Sequence, residues 1–125
     1  MVTSAVDEML ERARSRIRRL GPEHVDDFLR DGGVLVDIRP EAQRQSEGAM
    51  PGAIVIERNV LEWRFDPTGE YSIAEASDYE RPILVLCSEG YASSFAAASL
   101  ADLGFRSVGD LAGGYQAWKR HKEAS

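Results

Sequence analysis

Cys87 is the only cysteine in the chain, and its surroundings suit a reactive thiol. It follows the apolar run Ile83-Leu84-Val85-Leu86 and opens the loop Cys87-Ser88-Glu89-Gly90-Tyr91-Ala92-Ser93, after which Ser94 to Leu103 reads as an Ala-rich helix. A sulfur at such a strand-to-helix corner faces backbone N–H groups and the positive end of a helix dipole. Both stabilise negative charge on sulfur, which is what a nucleophile needs. From position alone, the competing reading is a small buried hydrophobe. A single cysteine excludes an intramolecular disulfide and a Cys-rich metal site. It also leaves no second thiol in the chain to discharge a modified Cys87. His24 and His121 lack metal-ligand spacing, so neither a metal nor a cofactor is expected.

The elements that must position this corner follow from hydrophobic spacing. Val6, Met9, Ala13, Ile17 and Leu20 recur three and four apart, so residues 3–20 predict an amphipathic helix, or a helix running into a short strand. Gly21-Pro22-Glu23 breaks that segment and starts a second helix, which Gly32-Gly33 ends. Val34 to Ile38 reads as a strand buried on both faces, and a further strand is expected at Ala53 to Glu57. Residues 58–80 are less periodic, with a turn at Pro67-Thr68-Gly69 and a short helix expected over Ser72 to Tyr79. Ser107 to Leu111 predicts a last strand before a terminal helix carrying Tyr115, Ala117 and Trp118. Continuous apolar strands alternating with helices make an α/β domain with a mainly parallel sheet. Ligands of such sheets bind beyond the carboxyl ends of the strands, where both Cys87 and Asp37-Ile38-Arg39 fall.

A chain of 125 residues is long enough for one domain with a real core, and 43% hydrophobic with 29% charged residues is ordinary for a globular protein. A net charge of −6 argues against nucleic acid as the main partner, and no apolar stretch reaches membrane-spanning length. The expected location is the cytoplasm. The arginines at 12, 14, 16, 18 and 19 read as a solvated helix face.

Four segments, in order, resemble the rhodanese-like domain. Leu35-Val36-Asp37-Ile38-Arg39 resembles its V-D-V-R strand, and Gly48-Ala49-Met50-Pro51-Gly52-Ala53 its G-H-I-P-G-A turn. Cys87 to Ser93 is similar to its C-x-x-G-x-x-S loop, and Leu111-Ala112-Gly113-Gly114 through Trp118 to its L-x-G-G-x-x-x-W close. The resemblance implies a central five-stranded, mostly parallel sheet with helices on both sides. It divides the chain into an N-terminal helical extension (1–14) and a rhodanese-like domain (15–125). It also implies sulfur transfer, in which Cys87 takes a sulfane sulfur as a persulfide and passes it to a thiol or cyanide, or to a sulfur-relay protein. Ser88, Glu89, Gly90, Tyr91, Ala92 and Ser93 would surround the sulfur, with backbone N–H groups forming an anion-binding nest.

The departures from the family pattern bear on the donor. Ala49 replaces the usual His, the loop lacks its frequent arginine, and Glu89 adds negative charge. Arg58 is the candidate to supply the missing cation, with Arg64 as the alternative. Asp37 and Arg39 are expected to pair structurally, and Ser93 or Ser94 to cap the following helix. A Cys-based phosphatase would need C-x5-R, and Ser93 stands where that arginine belongs. A second reading is a binding, sensor or sulfur-relay module without turnover. The oligomeric state is open between monomer and homodimer, and no membrane partner is expected.

Overall fold

The computed structural model describes residues 3–125. Helix α1 (Ala5–Arg14) begins at Ser4, whose hydroxyl accepts the Asp7 N–H at 3.1 Å. Asp7 and Glu8 lie in its first turn and Arg12 and Arg14 in its last, matching the helix dipole. Strand β1 (Arg18–Leu20) follows, then a 3-10 turn at Pro22–His24 and helix α2 (Val25–Arg30). The chain continues through β2 (Val34–Asp37), α3 (Glu41–Glu47), β3 (Ala53–Val55) and α4 (Leu61–Phe65). It closes with β4 (Ile83–Leu86), α5 (Ala92–Leu103), β5 (Val108–Leu111) and α6 (Gly114–Ala124).

The five strands form one sheet in the order β1-β5-β4-β2-β3, and every pairing is parallel. Side chains alternate across it, as the period of two requires. Val34, Val36, Ile83 and Val85 face one layer with Leu61, Phe65, Ala96, Ala97 and Leu100 of α4 and α5. Leu35, Leu84 and Leu86 face the other, with Val25 of α2 and Tyr115 of α6. Burial on both faces explains why β2 and β4 read as unbroken apolar runs. Because all strands run the same way, the chain leaves β2, β4 and β5 on one rim, with β4 in the middle. That rim carries the site.

Several expectations change in detail. The segment after residue 3 is a helix that runs into a strand, and α1 packs through the buried Leu10 and Ala13 on the outer side of α5. The first two residues of the expected 1–14 extension lie outside the described residues. The strand expected over Ala53 to Glu57 ends at Val55. Over Ser72 to Tyr79 only a 3-10 turn forms, at Ala74–Ala76. Helices α3 and α4 were not expected; α3 has no buried residue and so no apolar stripe to read. Helix α5 begins at Ala92, two residues before the expected start.

Candidate active site

Cys87 leaves the end of β4 with its side chain almost enclosed, at 8% exposure. Its Sγ accepts the Gly90 N–H at 3.2 Å and the Ser93 N–H at 3.4 Å. The Ser93 donor belongs to the first turn of α5, where backbone N–H groups have no intrahelical acceptor and the dipole is positive. Gly90 supplies the other donor by turning the loop through φ +88°, a left-handed conformation that residues with a Cβ resist. Two converging N–H dipoles suit a sulfur that carries negative charge.

Three sets of neighbours hold the loop. The first is the Gly113-Gly114 turn. There the Tyr115 and Gln116 N–H groups donate to the Cys87 and Ser88 carbonyls at 2.8 and 3.0 Å, so the open end of α6 is satisfied by the loop. The approach is close enough that a Cβ on Gly114 would sit 2.6 Å from the Cys87 carbonyl oxygen.

The second set runs from β2. Asp37 and Arg39 form a buried pair, with Arg39 Nη2 to Asp37 Oδ2 at 2.7 Å. Arg39 Nη1 reaches Glu47 Oε1 at 3.1 Å, and Glu47 Oε2 accepts the Ser88 hydroxyl at 2.9 Å. The Arg39 guanidinium also lies over the Tyr115 ring, 4.1 Å from its centroid. Burial alone would lower the Arg39 pKa, but the hydrogen bonds and charges of Asp37 and Glu47 raise it above the ordinary value and keep the group cationic.

The third set comes from the N-terminal segment. Arg14 Nη2 and Arg19 Nη2 both donate to the Gly90 carbonyl, at 2.9 and 2.8 Å. Arg19 pairs across the β1–β5 ladder with Asp110, which is fully buried, at 2.9 Å. Asp110 Oδ2 also accepts the Ser93 and Ser94 hydroxyls at 2.8 and 2.7 Å, and the Ser94 Oγ accepts Arg14 Nε at 3.0 Å.

The structure thus brings the Gly90 and Ser93 N–H groups to the Cys87 sulfur, while the Ser88 hydroxyl is turned to Glu47 and Glu89, Tyr91 and Ala92 are exposed. Arg58 is paired with Glu62 at 2.9 Å, and Arg64 donates to the Tyr71 carbonyl at 2.6 Å; neither is bonded to the loop. Ser93 and Ser94 do not cap α5. They lie inside its first turn, and their hydroxyls serve Asp110 instead. Sequence reasoning missed Asp110, Glu47, Arg14 and Arg19. Asp110 did leave a signal, a lone carboxylate within the buried strand Val108-Gly109-Asp110-Leu111. Among the described residues no three or more His, Cys, Asp or Glu side chains are grouped to hold a metal ion. No described helix is long and apolar enough to cross a membrane.

A parallel α/β sheet with a cysteine cradled by backbone N–H groups at its central strand end defines a class of cysteine-loop proteins. The family model of the rhodanese-like domain matches residues 21–121, and the chain belongs to that family. A thiosulfate sulfurtransferase GlpE from Pseudomonas fluorescens is 31% identical over 106 residues, covering 84% of this chain and 87% of that protein. Its namesake from Coxiella burnetii is 33% identical over 92 residues, covering 74% and 77%. Among solved structures, a protein of unknown function from Rhodopseudomonas palustris, described as a possible tyrosine phosphatase, superimposes with a TM-score of 0.85 at 27% identity, covering 98% of this chain and 94% of that one. The human single-domain sulfurtransferase TSTD1 shares the fold, with a TM-score of 0.69 at 23% identity over 82% of this chain and 95% of its own.

Proposed function

We propose that the protein is a single-domain sulfurtransferase that carries a sulfane sulfur on Cys87. The observation that carries this reading is the Cys87 Sγ held by the Gly90 and Ser93 N–H groups. The relatives named thiosulfate sulfurtransferase make thiosulfate the first donor to test. The Cys87 thiolate attacks the outer sulfur of thiosulfate, and the S–S bond of the donor breaks. Sulfite leaves with the bonding electron pair, and an anionic persulfide remains on Cys87. The two N–H groups hold Sγ, which becomes the inner persulfide sulfur, and the step needs no proton transfer. A thiophilic acceptor, cyanide or a thiol, then attacks the outer persulfide sulfur, and the thiolate is regenerated.

A phosphatase reading lacks its principal residue. The loop holds no arginine to grip a phosphoryl group bidentately, and the Ser93 hydroxyl is turned to Asp110. A module without turnover, serving as a sensor or a relay for one protein partner, draws support from the exposed Glu89 and the absence of a loop arginine. Thiocyanate production from thiosulfate and cyanide separates the two readings. Steady turnover abolished by Cys87→Ser supports the enzyme. No turnover with thiosulfate, mercaptopyruvate or glutathione persulfide supports the module.

A further inference from the structure

The family match begins at residue 21, yet two of the side chains bonded to the Cys87 loop come from before it. We infer that Arg14 and Arg19 form a clamp, contributed by the N-terminal segment, that positions the Cys87 loop for sulfur transfer. This inference rests on the sulfurtransferase reading of the site.

The Gly90 carbonyl oxygen has two lone pairs, and both receive charged donors, at 2.9 Å from Arg14 and 2.8 Å from Arg19. The N–H of Gly90 meanwhile donates to the sulfur. One residue is therefore fixed on both its polar groups, carbonyl against the clamp and N–H against Sγ. At φ +88° a glycine has other conformations within easy reach, so a loop turning there needs an external hold.

Asp110 ties the clamp to the second sulfur donor. It is fully buried, receives Arg19 on both carboxylate oxygens, and accepts the hydroxyls of Ser93 and Ser94. The Ser93 hydroxyl thus anchors the residue whose N–H meets Sγ at 3.4 Å. Arg14 closes the ring through Ser94 Oγ, while its guanidinium lies 5.6 Å from the centroid of the exposed Tyr91 ring. Among the described residues Arg14 has no carboxylate partner. The cluster of Arg14, Arg19 and Asp110 therefore carries one net positive charge beside the Gly90 carbonyl.

Both guanidiniums are occupied by the loop carbonyl and by Asp110 or Ser94. They are positioning residues, and the clamp is expected to act on the rate at saturating donor rather than on donor binding. Helix α1 delivers Arg14 by packing Leu10 and Ala13 on α5, so this helix belongs to the working site.

The test uses the full chain with Arg14→Met, which keeps an unbranched stem but removes the guanidinium, and with Arg14→Lys, which keeps the charge. Two rates are read: sulfur acquisition by Cys87 from thiosulfate across donor concentrations, and alkylation of Cys87 by the neutral reagent iodoacetamide. Arg14→Met should slow sulfur acquisition at saturating donor about tenfold, with the half-saturating concentration changed less than about twofold; Arg14→Lys should recover part of the loss. Alkylation should slow in parallel. Unchanged rates in Arg14→Met would overturn the clamp. So would a raised half-saturation with an unchanged saturating rate, which would make Arg14 a donor-binding group. If the native protein acquires no sulfur, the sulfurtransferase reading fails; an alkylation rate still altered by Arg14→Met would then uphold the clamp by itself. Arg19→Lys, with thermal unfolding followed in parallel, repeats the test at the second arm.

Discussion

Gly90 rests directly on Gly113: a Cβ at position 90 would lie 2.8 Å from the Gly113 nitrogen and 3.2 Å from the Leu111 carbonyl oxygen. The obstacle is backbone on a tight turn, so it has little freedom to retreat. The loop around Cys87 and the turn after β5 are thus one packed unit, and the two glycine motifs are two sides of a single contact.

Gly90→Ala is therefore expected to disturb both fold and chemistry. The left-handed conformation costs a residue with a Cβ about 1–2 kcal/mol, and the backbone clash adds to it. Urea unfolding should show a loss of about 2–3 kcal/mol. Cys87 alkylation should slow in the fraction that remains folded. A variant of native stability and reactivity would mean the loop does not need this conformation.

Arg39→Met should be more damaging than any exposed arginine change. It leaves Asp37 fully enclosed with, among the described residues, only the backbone N–H of position 39 as a donor to its carboxylate, at 3.0 Å. An uncompensated buried charge costs about 3–5 kcal/mol. The double variant Asp37→Asn with Arg39→Met should recover part of that loss, because the charge is then gone. Equal unfolding midpoints for the single and double variants would contradict this account.

Arg58→Ala separates the sequence-based candidate from the observed geometry. Arg58 spends its guanidinium on Glu62, away from the Cys87 loop. The half-saturating donor concentration should change less than about twofold, within the effect expected for breaking a surface pair. A tenfold rise in the half-saturating donor concentration would restore Arg58 to donor binding.

Glu62 introduces a pH dependence of stability. Burial alone would raise its pKa, but hydrogen bonds from Ser99 at 2.5 Å and from its own backbone, with the charge and hydrogen bonds of Arg58, bring it below the ordinary value. A carboxyl lowered on folding stabilises the native state above its unfolded pKa. That contribution is lost as pH falls through the lowered folded value. Native protein should therefore lose its advantage over Glu62→Gln as pH falls through and below the ordinary carboxylate range. A stability difference that stays constant over that interval would contradict the assignment.

The fold was legible where burial leaves a continuous trace. β2 and β4 are enclosed on both faces, so four adjacent apolar residues sufficed to mark each. Helix α3 has no buried residue and α4 is a single short element, so neither carries enough periodicity to stand out. At the site, Cys87 and Gly90 announced themselves by residue type and spacing. Arg14 and Arg19 did not, because both belong to an arginine-rich run that resembles a solvated face. Their role depends on the parallel pairing of β1 with β5, which sets Arg19 beside Asp110 across ninety-one positions of sequence. The cap expected at Ser93 or Ser94 failed for a related reason: Asp110, from another strand, competes for both hydroxyls.

A sulfur carried on Cys87 changes the mass of the protein. Intact mass after incubation with thiosulfate, followed by removal of excess donor, measures it most directly. The expected result is a gain of one sulfur atom, absent in Cys87→Ser and reversed by cyanide with release of thiocyanate. A mass unchanged by thiosulfate, mercaptopyruvate and glutathione persulfide alike, in folded protein whose Cys87 still alkylates, would contradict it.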